Sequence, residues 1–62
     1  MTKPTLKLTG TDGNAFAVLG KARAALKAAG YSKAEIDRFT KEATSGDYDH
    51  LLATATEWFE VE

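Results

Sequence analysis

Gly30-Tyr31-Ser32-Lys33-Ala34-Glu35-Ile36 decides the fold of this chain. Ser32 followed three residues later by Glu35 is a capping box: the serine oxygen takes a free N–H of the first helical turn, and the glutamate reaches back to the serine N–H. Tyr31 before the cap and Ile36 after it form a hydrophobic staple across the same turn. Gly30 suits the position just past a helix end, because without a Cβ it enters the left-handed conformation freely. One helix therefore stops at Gly30 and another starts at Ser32, and the chain reads as packed helices in both directions from this point.

Toward the N-terminus, the spacing predicts helix 1 over about residues 14–29. At about 100° per residue, Val18, Leu19, Ala22, Ala25, Leu26 and Ala29 share one arc, with Ala15 inside it and Phe16 at its edge. Ala17, Gly20, Lys21, Ala24, Lys27 and Ala28 lie opposite, and Arg23 sits at the boundary, where its stem can cover apolar surface. Gly10-Thr11-Asp12-Gly13-Asn14 is a turn cluster in which Asp12 or Asn14 is placed to cap helix 1. Before it, Pro4 opens the alternating run Thr5-Leu6-Lys7-Leu8-Thr9, the two-residue period of a half-buried strand over about residues 5–9.

Toward the C-terminus, helix 2 runs over about residues 32–44 with a narrow apolar stripe of Ile36, Phe39 and Ala43. Gly46 stops it. Asp47 then caps helix 3, over about residues 47–59, and Asp49 favours the positive end of its dipole. Tyr48, Leu51, Leu52, Ala55, Trp58 and Phe59 share an arc, while His50 falls on the far side near Ala53 and Glu57 and is expected to be exposed and inert. Val61 leaves the arc, so the last residues are free to pair as a short strand with residues 6–9. The expected fold is mainly α, a small α+β case: one domain over residues 1–62, a three-helix bundle with a short N-terminal strand open to pairing with the C-terminal residues.

Composition narrows the function. A chain of 62 residues buries only about 60% of its unfolded surface, which leaves little room for both a core and a catalytic cleft. It has no cysteine, so disulfides and thiolate–metal sites are excluded. No apolar run reaches the roughly 20 residues of a membrane span and no signal segment opens the chain, so a soluble, cytoplasmic protein without membrane contact is expected. With 44% hydrophobic and 27% charged residues it reads as folded. The net charge of -1 conceals an asymmetry: residues 1–33 hold six Lys/Arg against one acid (+5), and residues 34–62 hold two against eight (-6). Two such halves either compensate each other inside the fold or present oppositely charged faces.

Chemistry is sparse. Asp47, Asp49 and His50 make a poor metal set, since adjacent helical residues point about 100° apart and no second histidine joins them. Ser32 and Ser45 read as helix-boundary residues and not as nucleophiles, which require an adjacent base and a third orienting group. The Thr11-Asp12-Gly13-Asn14 loop offers N–H groups at a helix start but has no further phosphate-binding pattern. The expectation is no enzyme, no metal and no cofactor.

Three resemblances bear on function. "ALKAAGYSKAEIDRF", residues 25–39, resembles a helix-turn-helix, with Ala29, Tyr31, Ile36 and Phe39 at its buried positions and Gly30 at its turn; Leu26 departs from the small residue usual there. That resemblance implies a recognition helix 2, but Lys33, Arg38 and Lys41 on it are balanced by Glu35, Asp37 and Glu42, and a phosphate backbone rewards net positive charge. A nucleic-acid partner is disfavoured. The Gly30-Tyr31 turn and the polar-capped, Leu/Trp-rich third helix also resemble ubiquitin-associated-type three-helix domains, which implies a bundle that binds a partner through that loop and helix 3. Finally, "EATSGDYDHLL" with the ending "EWFEVE" is similar to a family of very small bacterial proteins without an assigned activity, several from phages and other mobile elements.

Together these point to a non-enzymatic accessory or protein-interaction module, with a small nucleic-acid-associated helix-turn-helix-like regulator as the alternative. The candidate contact surface is Gly20, Lys21, Ala24, Lys27 and Ala28 on helix 1. Gly20, Ala24 and Ala28 recur every four residues along one ridge, and Lys21 and Lys27 flank it, placed to meet acidic groups of a partner protein or of a second copy. Against this, alanine is the best helix former and needs no contact to justify it, and the ridge contains no bulky anchor of the kind that dominates interface energetics.

Overall fold

Short polar side chains start every helix of the computed structural model, which describes residues 3–8, 10 and 13–62. Asn14 caps α1 (Ala15–Ala28), its side-chain oxygen accepting the Ala17 N–H at 3.2 Å. Ser32 caps α2 (Lys33–Ala43), and both halves of the capping box form: Ser32 Oγ accepts the Glu35 N–H at 3.2 Å, and Glu35 Oε1 accepts the Ser32 N–H at 3.0 Å. Asp47 caps α3 (Tyr48–Trp58), accepting the His50 N–H at 2.9 Å. The helix expectations thus hold to within a residue or two. Asp12 as an alternative cap, the Thr11-Asp12 part of the turn, and Thr9 at the end of the expected strand lie outside the described residues.

The α1–α2 corner closes as the glycine predicts. Gly30 has φ +91°, and its N–H donates to Lys27 O while the Tyr31 N–H donates to Leu26 O, both at 3.0 Å. This is the paired closure that satisfies the last carbonyls of a helix.

Two short strands complete the chain: β1 (Thr5–Leu6) and β2 (Glu60–Val61), parallel, with Thr5 opposite Glu60 and Leu6 opposite Val61. The parallel sense follows from the three-helix crossover between them. Glu60 N–H donates to Pro4 O at 2.9 Å, Glu62 N–H to Leu6 O at 2.8 Å, and Leu8 N–H to Glu62 O at 2.9 Å. The strand is shorter than the expected 5–9 and spans Thr5–Leu6, because β2 offers only two residues for pairing; the alternation continues past it, with Leu6 and Leu8 buried and Thr5 and Lys7 exposed.

The core gathers Leu6 and Leu8 with Val18, Ala22 and Leu26 of α1, Ile36, Phe39 and Ala43 of α2, and Leu51, Ala55 and Phe59 at and beyond α3. Phe39 is its aromatic centre, edge-on to Trp58 with ring centroids 5.4 Å apart and to Phe59 at 5.7 Å. The α2 stripe is buried as expected. The α1 arc is narrower: Leu19 and Ala25 are half-buried, and Ala15, Phe16 and Ala29 are exposed. On α3 the buried arc is wider than expected and takes in Thr54, which is 2% exposed. Its hydroxyl is satisfied by donating to His50 O at 2.9 Å, the back-bond to the preceding turn that lets a threonine be buried in a helix.

Candidate functional site

Gly20, Lys21, Ala24, Lys27 and Ala28 are all exposed and share the outer face of α1. Lys21 leans toward the β1 side, its Nζ 3.4 Å from Lys7 O. Nothing lies within 4 Å of where a Cβ on Gly20 would stand. A glycine inside a helix costs about 1 kcal/mol relative to alanine, and no internal packing accounts for this one.

Sequence reasoning missed the bulky member of the face. Phe16 is 88% exposed, not tucked at the edge of the buried arc. It stands four residues before Gly20 and so opens the row that continues through Ala24 and Ala28. The i, i+4 spacing from Gly20 was the available signal, but that the neighbouring elements leave Phe16 outside the core was not readable from local pattern. Phe16 is also the rim of an apolar groove of about 230 Å³ between the start of α1 and the α2–α3 junction. Its other walls include half-buried Leu19 and Tyr48 and buried Ala43 and Leu51. Tyr48 is fixed there because its hydroxyl accepts the Gly13 N–H at 2.7 Å.

The histidine also departs from expectation. His50 is half-buried and turned toward α2, with Nε2 2.9 Å from Glu42 O and 3.1 Å from Ser45 Oγ. Glu42 O also accepts the Ser45 N–H at 3.2 Å and the Ser45 hydroxyl at 2.7 Å, and the ring in its Nε2–H form adds a donor from α3 that ties the end of α2 to that helix. Gly46 owes its identity to the same contact. It does not adopt a positive φ; instead a Cβ there would stand 2.8 Å from His50 Cβ. Among the described residues no three His, Cys, Asp or Glu side chains gather so as to hold a metal ion.

Charge is arranged by helix. α1 carries Lys21, Arg23 and Lys27 and no acid, and its first turn holds nothing to offset the positive end of its dipole. α3 carries Asp49 and Glu57 and no Lys or Arg, and Asp47 caps it. The ion pairs among the described residues both end on Asp37 of α2, from Arg23 at 4.0 Å and from Lys33 at 3.0 Å. These exposed pairs contribute little stability, and they leave Asp47, which lines the groove, without a cationic partner among the described residues. Glu35 is held below its ordinary carboxyl value of 4.5, first by the Ser32 backbone N–H and then by the Ser32 hydroxyl. A second, polar cleft of about 490 Å³ is lined by Lys3, Tyr31, Arg38, Glu42, Glu57 and Trp58, with the Tyr31 and Trp58 rings tilted at 6.2 Å. Its cations and carboxylates are balanced.

No helix among the described residues is long and apolar enough to cross a membrane. No protein-family model matches the chain, and no curated protein or solved structure is significantly similar to it.

Proposed function

We propose that this is a non-enzymatic, cytoplasmic accessory protein, of the kind carried by phages and other mobile elements, that acts by binding another polypeptide through the outer face of α1. The observation that carries the reading is Phe16, 88% exposed at the head of the Gly20–Ala24–Ala28 row and on the rim of an apolar groove. Isolated exposed apolar residues are ordinary. An aromatic anchor beside a groove, next to a ridge of small residues, supports a contact patch, since aromatics contribute strongly to interface energy and small neighbours allow close approach. The groove, at about 230 Å³, is below the roughly 300–1,000 Å³ of small-molecule sites and suits an inserted side chain.

Phe16→Ala and Ala24→Glu test the reading. Both positions are exposed, so each variant should stay folded with stability changed by no more than about 0.5 kcal/mol, while capture of protein partners by the immobilised chain is lost. Variants that bind every partner as the parent does would overturn the assignment. Retention of the parent on DNA, falling steeply with salt, would favour the helix-turn-helix-like regulator instead.

A further inference from the structure

We infer that the polypeptide seated on this face is a second copy of the chain, the two molecules inserting Phe16 into each other's groove about a two-fold axis. The inference rests on the proposed contact role of α1 and names its occupant.

Self-complementarity is the first ground. A two-fold interface uses one patch twice, so a projecting group and the hollow that receives it must lie on the same face. Here they are contiguous: Phe16 projects at the groove rim, beside walls formed by Leu19, Ala43, Tyr48 and Leu51. A rotation that seats one phenyl ring in the other molecule's groove seats the reciprocal ring as well.

Charge is the second ground. Asp47 lines the groove and has no ion-pair partner among the described residues. The start of α1, which carries Phe16, brings with it a helix end that is positive by its dipole and has no acid in its first turn. Lys21, Arg23 and Lys27 follow on the same helix. Seating Phe16 in the opposite groove therefore sets a positive helix end against the acidic rim, and does so twice in the pair.

Area sets the strength. A standard stable interface takes about 800 Å² from each partner, roughly a fifth of the 4147 Å² this molecule exposes. One knob and one small groove cover less, so the pair is a weak dimer that dissociates on dilution.

Sedimentation equilibrium from micromolar to millimolar protein, with proton NMR on the same samples, tests this. The parent should move from monomer toward twice its mass as concentration rises, with concentration-dependent shifts confined to Phe16, Thr44, Tyr48 and their neighbours. Phe16→Ala should remain monomeric throughout with an unchanged circular dichroism spectrum, and Asp47→Asn, which keeps a capping oxygen for α3, should weaken the dimer several-fold. A parent that stays monomeric at millimolar concentration, a Phe16→Ala chain that associates as the parent does, or shifts centred on β1 or on the outer side of α2 would overturn the inference. If the parent is monomeric while Phe16→Ala still abolishes capture of a foreign protein, the second-copy assignment fails and the proposed function stands. If Phe16→Ala changes neither, both fail.

Discussion

His50 and Gly46 show how much a single tertiary contact decides at the level of residues. On a helical wheel the histidine lies outside the apolar arc of α3, and a wheel has no means of showing that α2 passes that flank. The ring fills the space over Gly46 and meets Glu42 O at 2.9 Å, so a residue that reads as solvated is a strut between helices. The sequence does mark a glycine at 46, but it cannot separate a glycine that supplies a left-handed turn, as Gly30 does at φ +91°, from one that makes room. Gly46→Ala discriminates between the two. Its new Cβ would stand 2.8 Å from His50 Cβ, an atom fixed to the α3 backbone, so the helices must shift. A cost of about 1–3 kcal/mol is expected, the range for overpacking, read as a lower urea midpoint. In the double variant Gly46→Ala/His50→Gly, which removes that Cβ, much of the steric cost should disappear relative to His50→Gly alone. If Gly46→Ala were as stable as the parent, the close packing of the ring on this glycine would be wrong.

At the scale of the element, the sequence was most legible where the chemistry is local. Asn14, Ser32 and Asp47 cap the helices predicted from them because a cap needs only a side chain and an N–H two or three residues away. The Ile36, Phe39 and Ala43 stripe was equally clear, since α2 is short and covered along its whole length. The α1 face was less clear because burial there depends on where β1, α2 and α3 pack against it, which no periodicity encodes. The capping box makes a pH prediction. Glu35 has its pKa lowered in the folded chain, so the stability it contributes is fully present above its ordinary value of 4.5 and is lost as pH falls through the lowered folded value. Glu35→Gln keeps an uncharged acceptor for the Ser32 N–H at every pH. Its urea midpoint should therefore lie below the parent's at neutral pH, and the gap should narrow well below pH 4.5. Ser32→Ala removes the cap itself and should cost about 1 kcal/mol at neutral pH. A gap that widens on acidification would mean that Glu35 is not the group whose protonation weakens this helix start.

For the whole molecule, the two ends of the chain close the fold on each other. The alternation from Thr5 to Leu8 announced a strand, and the departure of Val61 from the α3 arc announced where that helix ends. Their register was not readable, because so short a pair is set by where three packed helices deliver the ends. Glu60, Val61 and Glu62 are all exposed, so their side chains add little burial. Their backbone does the holding, through the bonds from Glu60 N–H to Pro4 O, Glu62 N–H to Leu6 O and Leu8 N–H to Glu62 O. Each is worth about 0.5–1.5 kcal/mol net. Losing them also frees the segment that keeps Leu6 and Leu8 buried, each worth a further 1.5–3 kcal/mol or so if released to water. A domain of this size has a total of only about 3–9 kcal/mol at the usual 0.05–0.15 per residue. A chain ending at Phe59 should therefore lose half or more of its stability, with a much lower urea midpoint and loss of slow amide exchange at Leu8. Val61→Ala should change the midpoint by no more than about 0.5 kcal/mol, because it alters an exposed side chain and leaves every backbone bond in place. If the two variants behaved alike, whether both neutral or both damaging, the hold on β1 would not come from the backbone of β2, and the α1 contacts to Leu6 and Leu8 would have to fix the N-terminal strand unaided.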